Sequence, residues 1–272
     1  MTIKLVAIDI DGTLLNSQHQ ITPRVKAAID QARAQGVYVV VTTGRPFIGA
    51  QPYLRQLAFD QPGEYCITNN GALVQQAASG DIVAEITLSF NDYLYCEKLA
   101  RTLQVHFHAL DKSSLYTANK DISQYTVQEA SMNSLPLRYR GVEEMDPQMT
   151  FPKVMIIDHP ELLDKAISQL PAETWQNYTI LRSAPYYLEI LNKRVDKGQA
   201  VKALAEQLGL TAENIMTIGD HENDLAMLEY AGIGVAMGNA IDSAKAVSQF
   251  ITASNDEHGV AVAIEKFVLQ AQ

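Results

Sequence analysis

Leu5-Val6-Ala7-Ile8-Asp9-Ile10-Asp11-Gly12-Thr13 is the stretch that decides the fold. Ile3 to Ile10 forms a short apolar run with β-branched residues, the pattern of a strand buried on both faces in a parallel sheet. Working outward, Thr22 suits a helix N-cap, Pro23 the first helical position and Gly36 the C′ position. Val25, Ala28, Ile29 and Ala32 supply an apolar stripe at helical spacing. A second buried strand follows at Val37 to Val41. This β-α-β unit predicts parallel strands joined by a right-handed crossover.

The C-terminal part repeats the alternation. Gly198 to Leu208 reads as a helix closed by Gly209, Ile215 to Ile218 as a strand, Asp224 to Tyr230 as a helix and Ile233 to Ala236 as a strand. A helix near Ser243 to Ser248, a strand at Phe250 to Thr252 and a C-terminal helix complete it. The expected fold class is α/β, a doubly wound parallel sheet of Rossmann-like form. The middle differs. Val105 to His108, Lys153 to Ile157 and Tyr186 to Leu191 look like half-exposed strands, and Asn91 to Leu103, Ile122 to Glu129 and Pro160 to Leu170 like amphipathic helices. The expectation is a catalytic core built from residues 1–83 and 192–272, with an α+β domain inserted over 84–191.

Bulk composition agrees with two packed domains. The chain has 272 residues, against roughly 150 per domain, and is 47% hydrophobic. With only 19% charged residues it is not of disordered type. The net charge of -10 and the absence of any Lys/Arg block argue against a nucleic-acid partner. Two cysteines, Cys66 and Cys96, make neither a disulfide framework nor a redox pair. No apolar stretch approaches the ~18 residues of a membrane span, and none at the N-terminus resembles a secretion signal, so a cytoplasmic location is expected.

In an open parallel sheet, ligands bind at the carboxyl ends of the strands. Four segments should gather there: Asp9 to Thr13, Thr42-Thr43-Gly44-Arg45, the helix start at Lys197, and Gly219-Asp220-His221-Glu222-Asn223-Asp224. Asp-Gly and Gly-Asp often do no more than make turns. That does not account for Asp9, a carboxylate ending a buried apolar run, which without a partner costs several kcal/mol or more. Asp9, Asp11 and Asp220 together repel one another unless a cation lies between them, and Mg²⁺ suits carboxylates, waters and phosphate oxygens. Asp9 and Asp11, two apart at the end of a strand, are expected to point to the same side. One carboxylate could then attack phosphorus, forming an aspartyl-phosphate, while its neighbour handles protons. Thr43 and Lys197 would hold phosphoryl oxygens. Asp-x-Asp-Gly-Thr should arise by chance in roughly three of a thousand chains of this length.

These segments resemble the motifs of the haloacid dehalogenase-like (HAD) superfamily, in particular its Cof-type sugar phosphatases. The first motif matches at Asp9-Ile10-Asp11-Gly12-Thr13, the second at Thr43-Gly44-Arg45, the third at Lys197-Gly198 and the fourth at Gly219 to Asp224. The resemblance implies a Mg²⁺-dependent hydrolase of small phosphorylated metabolites, most often sugar phosphates. It implies Asp9 as nucleophile, Asp11 as general acid/base, and phosphate contacts from Ile10, Thr43, Gly44, Lys197 and Asn223. It further implies metal ligation by Asp9, Asp220 and the backbone carbonyl of Asp11, with Asp224 orienting the metal's waters. The insertion resembles a C2-type cap that selects the substrate, and Asn69-Asn70-Gly71-Ala72 resembles the turn that precedes it.

Rival readings remain open. A receiver domain also carries an aspartyl-phosphate, but it is about half this length and would not need Asp11 or an insertion. A phosphomutase shares the nucleophile and returns the phosphoryl group, and a non-catalytic sugar-phosphate binder lacks a use for the full set. A dehalogenase has no use for Asp11 and Mg²⁺. His106 and His108 read as a solvated or hydrogen-bonded strand face, His221 as a loop polar group or a contact of the metal's water shell, and Trp175 as ordinary surface or core. The Tyr186-Tyr187 pair could contribute to specificity.

Overall fold

The computed structural model describes residues 2–270. In chain order its strands are β1 (Leu5–Ile8), β2 (Tyr38–Thr42), β3 (Tyr65–Thr68), β4 (Leu73–Gln76), β5 (Ile82–Glu85), β6 (His106–Leu110), β7 (Leu115–Thr117), β8 (Leu137–Tyr139), β9 (Lys153–Ile157), β10 (Tyr178–Ala184), β11 (Tyr187–Asn192), β12 (Ile215–Gly219), β13 (Ile233–Ala236) and β14 (Phe250–Ile251). Two compact units are formed. The first takes residues 2–44, 50–84 and 196–270, the second residues 45–49 and 85–195.

The first unit is an α/β layer structure around one sheet of order β14-β13-β12-β1-β2-β3-β4-β5. The strands from β14 through β3 are mutually parallel. β1 lies between β12 and β2, with Ile8 opposite Ile218 and Val41, so the chain leaves all three strands at the same edge. Leu5 to Ile8 are fully buried, as a central strand covered on both faces requires. Helix punctuation follows the sequence. Thr22 Oγ1 accepts from the Val25 amide at the start of Pro23–Ala34, and Asp196 Oδ1 accepts from the Gln199 amide at the start of Lys197–Gln207. Ala200, Val201, Leu204 and Ala205 of the second helix pack with Leu5, Ala7, Val40, Ile67 and Val74 of the sheet.

The sheet is not parallel throughout: β4 runs antiparallel to β3. Only four residues join them, far too few for a parallel crossover, which needs a dozen or more. Asn69, Asn70 and Gly71 reverse the chain with φ of 51°, 56° and 100°. Asn and Gly are the residues that enter this left-handed region most readily.

The second unit is a six-stranded sheet, β10-β11-β9-β6-β7-β8, antiparallel except for the β7/β8 pair. Its central strands are buried rather than half-exposed: Val154 to Ile157 have no exposed surface, because both faces are covered. Val154 and Ile156 face a cluster with Tyr93, Cys96, Phe107 and Leu163. Met155 and Ile157 face another with Leu110, Leu115, Ala130, Leu135 and Ile48. Ile48 explains why residues 45–49, expected in the core, belong with the second unit. Among the described residues no helix is long and apolar enough to cross a membrane.

Candidate active site

The carboxyl edge of the first unit's sheet brings together the predicted acids with one exception. Asp9 follows β1 directly and is 5% exposed. Its Oδ1 accepts from Lys197 Nζ at 2.6 Å, and the same ammonium reaches Asp224 Oδ1 at 2.6 Å. Lys197 and Asp224 are completely buried. Asp224 Oδ2 accepts from the amides of Asp220 and His221 at 2.9 and 3.0 Å, which closes the loop after β12 onto the helix start. Thr13 Oγ1 donates to Asp220 Oδ1 at 2.7 Å. Carboxylate oxygens of Asp9, Asp220 and Asp224 all lie within 4.8 Å of one another.

Asp11 is placed differently from the expectation. β1 ends at Ile8, and residues Ile10–Leu14 form a helical turn kinked at Asp11 (φ -84°, ψ 117°) and Gly12 (φ 81°). The same-side rule of a strand therefore does not apply, and the Asp11 side chain is exposed rather than buried beside Asp9. The buried cluster contains Asp224 where the sequence pointed to Asp11. Gly12 serves twice here. Its positive φ is one that side chains disfavour, and a Cβ would run into the Asp220 carboxylate.

Thr43 sits just past β2, buried, its amide donating to Ile67 O (2.9 Å) and its carbonyl accepting from the Asn70 amide (3.0 Å). Gly44 lies against the Asn70 side chain, whose Oδ1 would be 3.0 Å from any Cβ there. Asn223 Nδ2 donates to that same oxygen at 3.0 Å. Ile10 is buried at the head of the turn. Asn70, in the Asn69 to Ala72 turn that the motif resemblance set just before the insertion and near the substrate, thus joins the site. Asn239, whose Nδ2 donates to Gly12 O at 2.8 Å, carried no signal in the sequence.

Electrostatics sets this corner apart. Burial pushes the Asp9 carboxyl well above the usual range; Lys197 opposes the shift and the charges of Asp224 and Asp220 add to it. Burial likewise pushes Asp220 up to about 6, against the Thr13 hydroxyl. Burial pulls Lys197 down, but Asp224 and Asp9 more than offset it, so the ammonium stays charged. Three carboxylates against one ammonium leave two surplus negative charges when all are ionised. A hard divalent cation fits this all-oxygen donor set and that surplus.

The other candidates lie in the second unit or at its surface. His108 is fully buried, bonded to Thr126 Oγ1 and Met155 Sδ and held neutral, with its pKa lowered to about 3 chiefly by burial. His106 pairs with Asp158 at 2.8 Å. Tyr186 stacks on Tyr125 at 4.5 Å, and Tyr187 donates to the Tyr125 carbonyl. Trp175 is 44% exposed.

A profile of haloacid dehalogenase-like hydrolases matches residues 6–264. A protein of Streptococcus pyogenes serotype M6 named "Putative phosphatase" is 47% identical over 269 residues, covering 99% of this chain and 100% of that one. "Putative phosphatase YxeH" of Bacillus subtilis is 45% identical over 266 residues, covering 98% of each. The crystal structure of a haloacid dehalogenase-like hydrolase from Bacteroides thetaiotaomicron superposes with a TM-score of 0.86 at 32% identity, covering 97% of this chain and 99% of that one.

Proposed function

The chain belongs to the haloacid dehalogenase-like hydrolase family, and from that premise we propose that it is a Mg²⁺-dependent phosphatase of small phosphorylated metabolites, with Asp9 as nucleophile. The observation that carries this reading is the buried Asp9, bonded to Lys197 and ringed by Asp220 and Asp224 at the ligand-binding edge of the sheet. A structural acid in such a place would be costly, whereas a nucleophile gains from being held and desolvated.

In the proposed reaction Asp9 attacks phosphorus and the bond to the leaving alcohol breaks. Asp11, exposed at the kink of the following turn, gives that oxygen a proton. It then takes a proton from the water that attacks the aspartyl-phosphate, releasing inorganic phosphate and restoring Asp9. Lys197 holds Asp9 in place and offers charge to a phosphoryl oxygen. Thr43, the Ile10 and Gly44 amides and Asn223 supply further phosphate contacts, with Asn70 orienting the Asn223 amide. Asp9, Asp220 and the Asp11 carbonyl would hold Mg²⁺, which neutralises charge on the transferring group. Asp224, both of whose oxygens already accept from protein donors, fixes the loop that carries Asp220.

Sugar phosphates are the proposed substrate class, on the strength of the motif resemblance, with the second unit as the selector. The test is phosphate release from a panel of small phosphate esters, with Mg²⁺ and with EDTA, for wild type and Asp9→Asn. Metal-dependent release removed by the substitution supports the reading. A folded protein that releases phosphate from none of the esters would turn it towards a mutase or a binding protein.

A further inference from the structure

The turn that carries Asp11 is held by the loops that follow β13 and β14, all within the first unit. Inside the turn, the Leu14 amide donates to the Asp9 carbonyl and the Leu15 amide to the Ile10 carbonyl, both at 3.0 Å. These bonds bracket the kink at Asp11 and Gly12. The Gly12 carbonyl, directly after the kink, accepts from Asn239 Nδ2 at 2.8 Å. Asn239 is fixed at its other end as well, where Oδ1 accepts from the Asn255 amide at 2.9 Å. Asn255 Nδ2 donates to the Leu15 carbonyl at 2.9 Å, and Asp256 Oδ1 accepts from the Ser17 amide at 2.8 Å.

The loop that bears Asn239 is anchored beside Asp220. The Met237 amide donates to the Gly219 carbonyl and the Ile241 amide to the Asp220 carbonyl, each at 3.0 Å. The Asn239 side chain therefore reaches from the loop that carries one acid of the site to the turn that carries another. Exposed asparagines often do no more than stitch neighbouring backbone segments. This one has both ends of its amide committed to main-chain groups, which sets its orientation. The carbonyl it holds belongs to Gly12, whose φ of 81° makes half of the kink that leaves the Asp11 side chain exposed. Relaxing that kink would aim Asp11 elsewhere.

We propose that Asn239 is a positioning residue for Asp11: by holding the Gly12 carbonyl it keeps the kink that presents the Asp11 carboxyl to the leaving oxygen. This rests on the phosphatase reading, in which the Asp11 proton passes to that oxygen as its bond to phosphorus breaks. The role has a signature that a merely structural one lacks. Proton donation matters in proportion to the basicity of the departing oxygen. A p-nitrophenolate leaves without it, whereas an alkoxide does not. Loosening the turn should therefore cost most on esters with the poorest leaving groups, whereas a general loss of structure costs all esters alike.

The experiment measures kcat/KM, which reports the reaction up to departure of the leaving group, for p-nitrophenyl phosphate, phenyl phosphate and glucose 6-phosphate. It compares wild type with Asn239→Asp, Asn239→Leu, Asp11→Asn and the pair Asp11→Asn/Asn239→Asp, each checked for folding by circular dichroism. Asn239→Asp keeps the acceptor for the Asn255 amide and removes the donor to Gly12; Asn239→Leu removes both without adding charge. General acid help is worth on the order of 10²–10⁴-fold and a misplacement of about 1 Å up to about 10²-fold, so both Asn239 variants should lose about ten- to a hundredfold on the poorest leaving group and little on p-nitrophenyl phosphate. Asp11→Asn should show the same trend more steeply, and the pair should lose little more than Asp11→Asn alone. Equal losses on all three esters would overturn the proposal. So would a loss confined to Asn239→Asp, or full additivity with Asp11→Asn. If wild type releases phosphate from none of the three, the phosphatase reading itself has failed; wild-type release with unaltered Asn239 variants sinks the positioning role alone.

Discussion

Lys197→Met removes the ammonium that bridges the buried carboxylates of Asp9 and Asp224 while keeping side-chain volume. Lys197 Nζ makes two 2.6 Å bonds, to Asp9 and Asp224, and neither the lysine nor Asp224 has any exposed surface. Breaking a buried pair by deleting one partner typically costs about 3–5 kcal/mol, a factor of roughly 10² to 10³·⁵ in the folding equilibrium. Against a typical total of about 5–15 kcal/mol, the variant should be visibly marginal. The cost should also depend on pH in a defined sense. Asp9 already sits above its ordinary value in the folded protein, and losing Lys197 removes the largest opposing influence. A carboxylate whose folded pKa is raised contributes stability below its unfolded pKa and loses it as pH rises through the folded value. The variant should therefore lose less at about pH 5 than at about pH 8, the direction set by the raised Asp9 carboxyl, whose protonated form needs no counter-charge. Urea unfolding followed by far-UV circular dichroism at both pH values measures this. A loss below about 1 kcal/mol at pH 8, or one that grows as pH falls, would refute the buried ion-pair reasoning.

Other expectations follow from particular contacts. His108 is buried and neutral with its pKa lowered to about 3 from 6.5, so its contribution is present above the unfolded pKa and lost as pH falls towards 3. At about pH 5 this costs about 2 kcal/mol, and His108→Leu should flatten the acid limb of the stability curve; an unchanged limb contradicts it. Mg²⁺ affinity measured by calorimetry should weaken as pH drops below about 6, where Asp220 begins to take up a proton, and a flat profile between about pH 5 and 8 would count against Asp220 as ligand. Gly71 has φ of 100°, and a Cβ there would strike the Asp196 carbonyl just before Lys197. Gly71→Ala should lower the melting temperature and phosphate release together, at a cost of about 1–3 kcal/mol. Wild-type melting and release would show that the helix start tolerates displacement.

Much of the first unit could be read because its signals are local. The apolar run before Asp9, the cap at Thr22 and the glycines at 36 and 209 specify elements without reference to the rest of the chain. The acids were found because strand ends gather at one edge, a property of the parallel sheet rather than of any residue. What escaped depends on tertiary detail. Whether Asp11 faces Asp9 depends on where β1 stops, and a helical turn begins one residue after Asp9. Asp224 was expected at the site, but its place inside the buried cluster depends on the loop after β12 folding back so that its carboxylate accepts from the Asp220 and His221 amides. Asn239 arrives from the loop after β13, far away in sequence. One face of β9 packs in a cluster with Leu110, Leu115, Ala130 and Leu135, against which Ile48 also lies, from a segment the sequence reading gave to the core.

The central claim is that Asp9 becomes covalently phosphorylated during turnover. The most direct measurement is mass spectrometry of protein quenched in acid while it hydrolyses an excess of substrate with Mg²⁺, followed by peptide mapping. The account predicts a phosphoryl group on the peptide carrying Asp9, absent from Asp9→Asn and from protein quenched after substrate is exhausted. Sustained hydrolysis by Asp9→Asn, with no phosphorylated aspartate on the wild type, would contradict it.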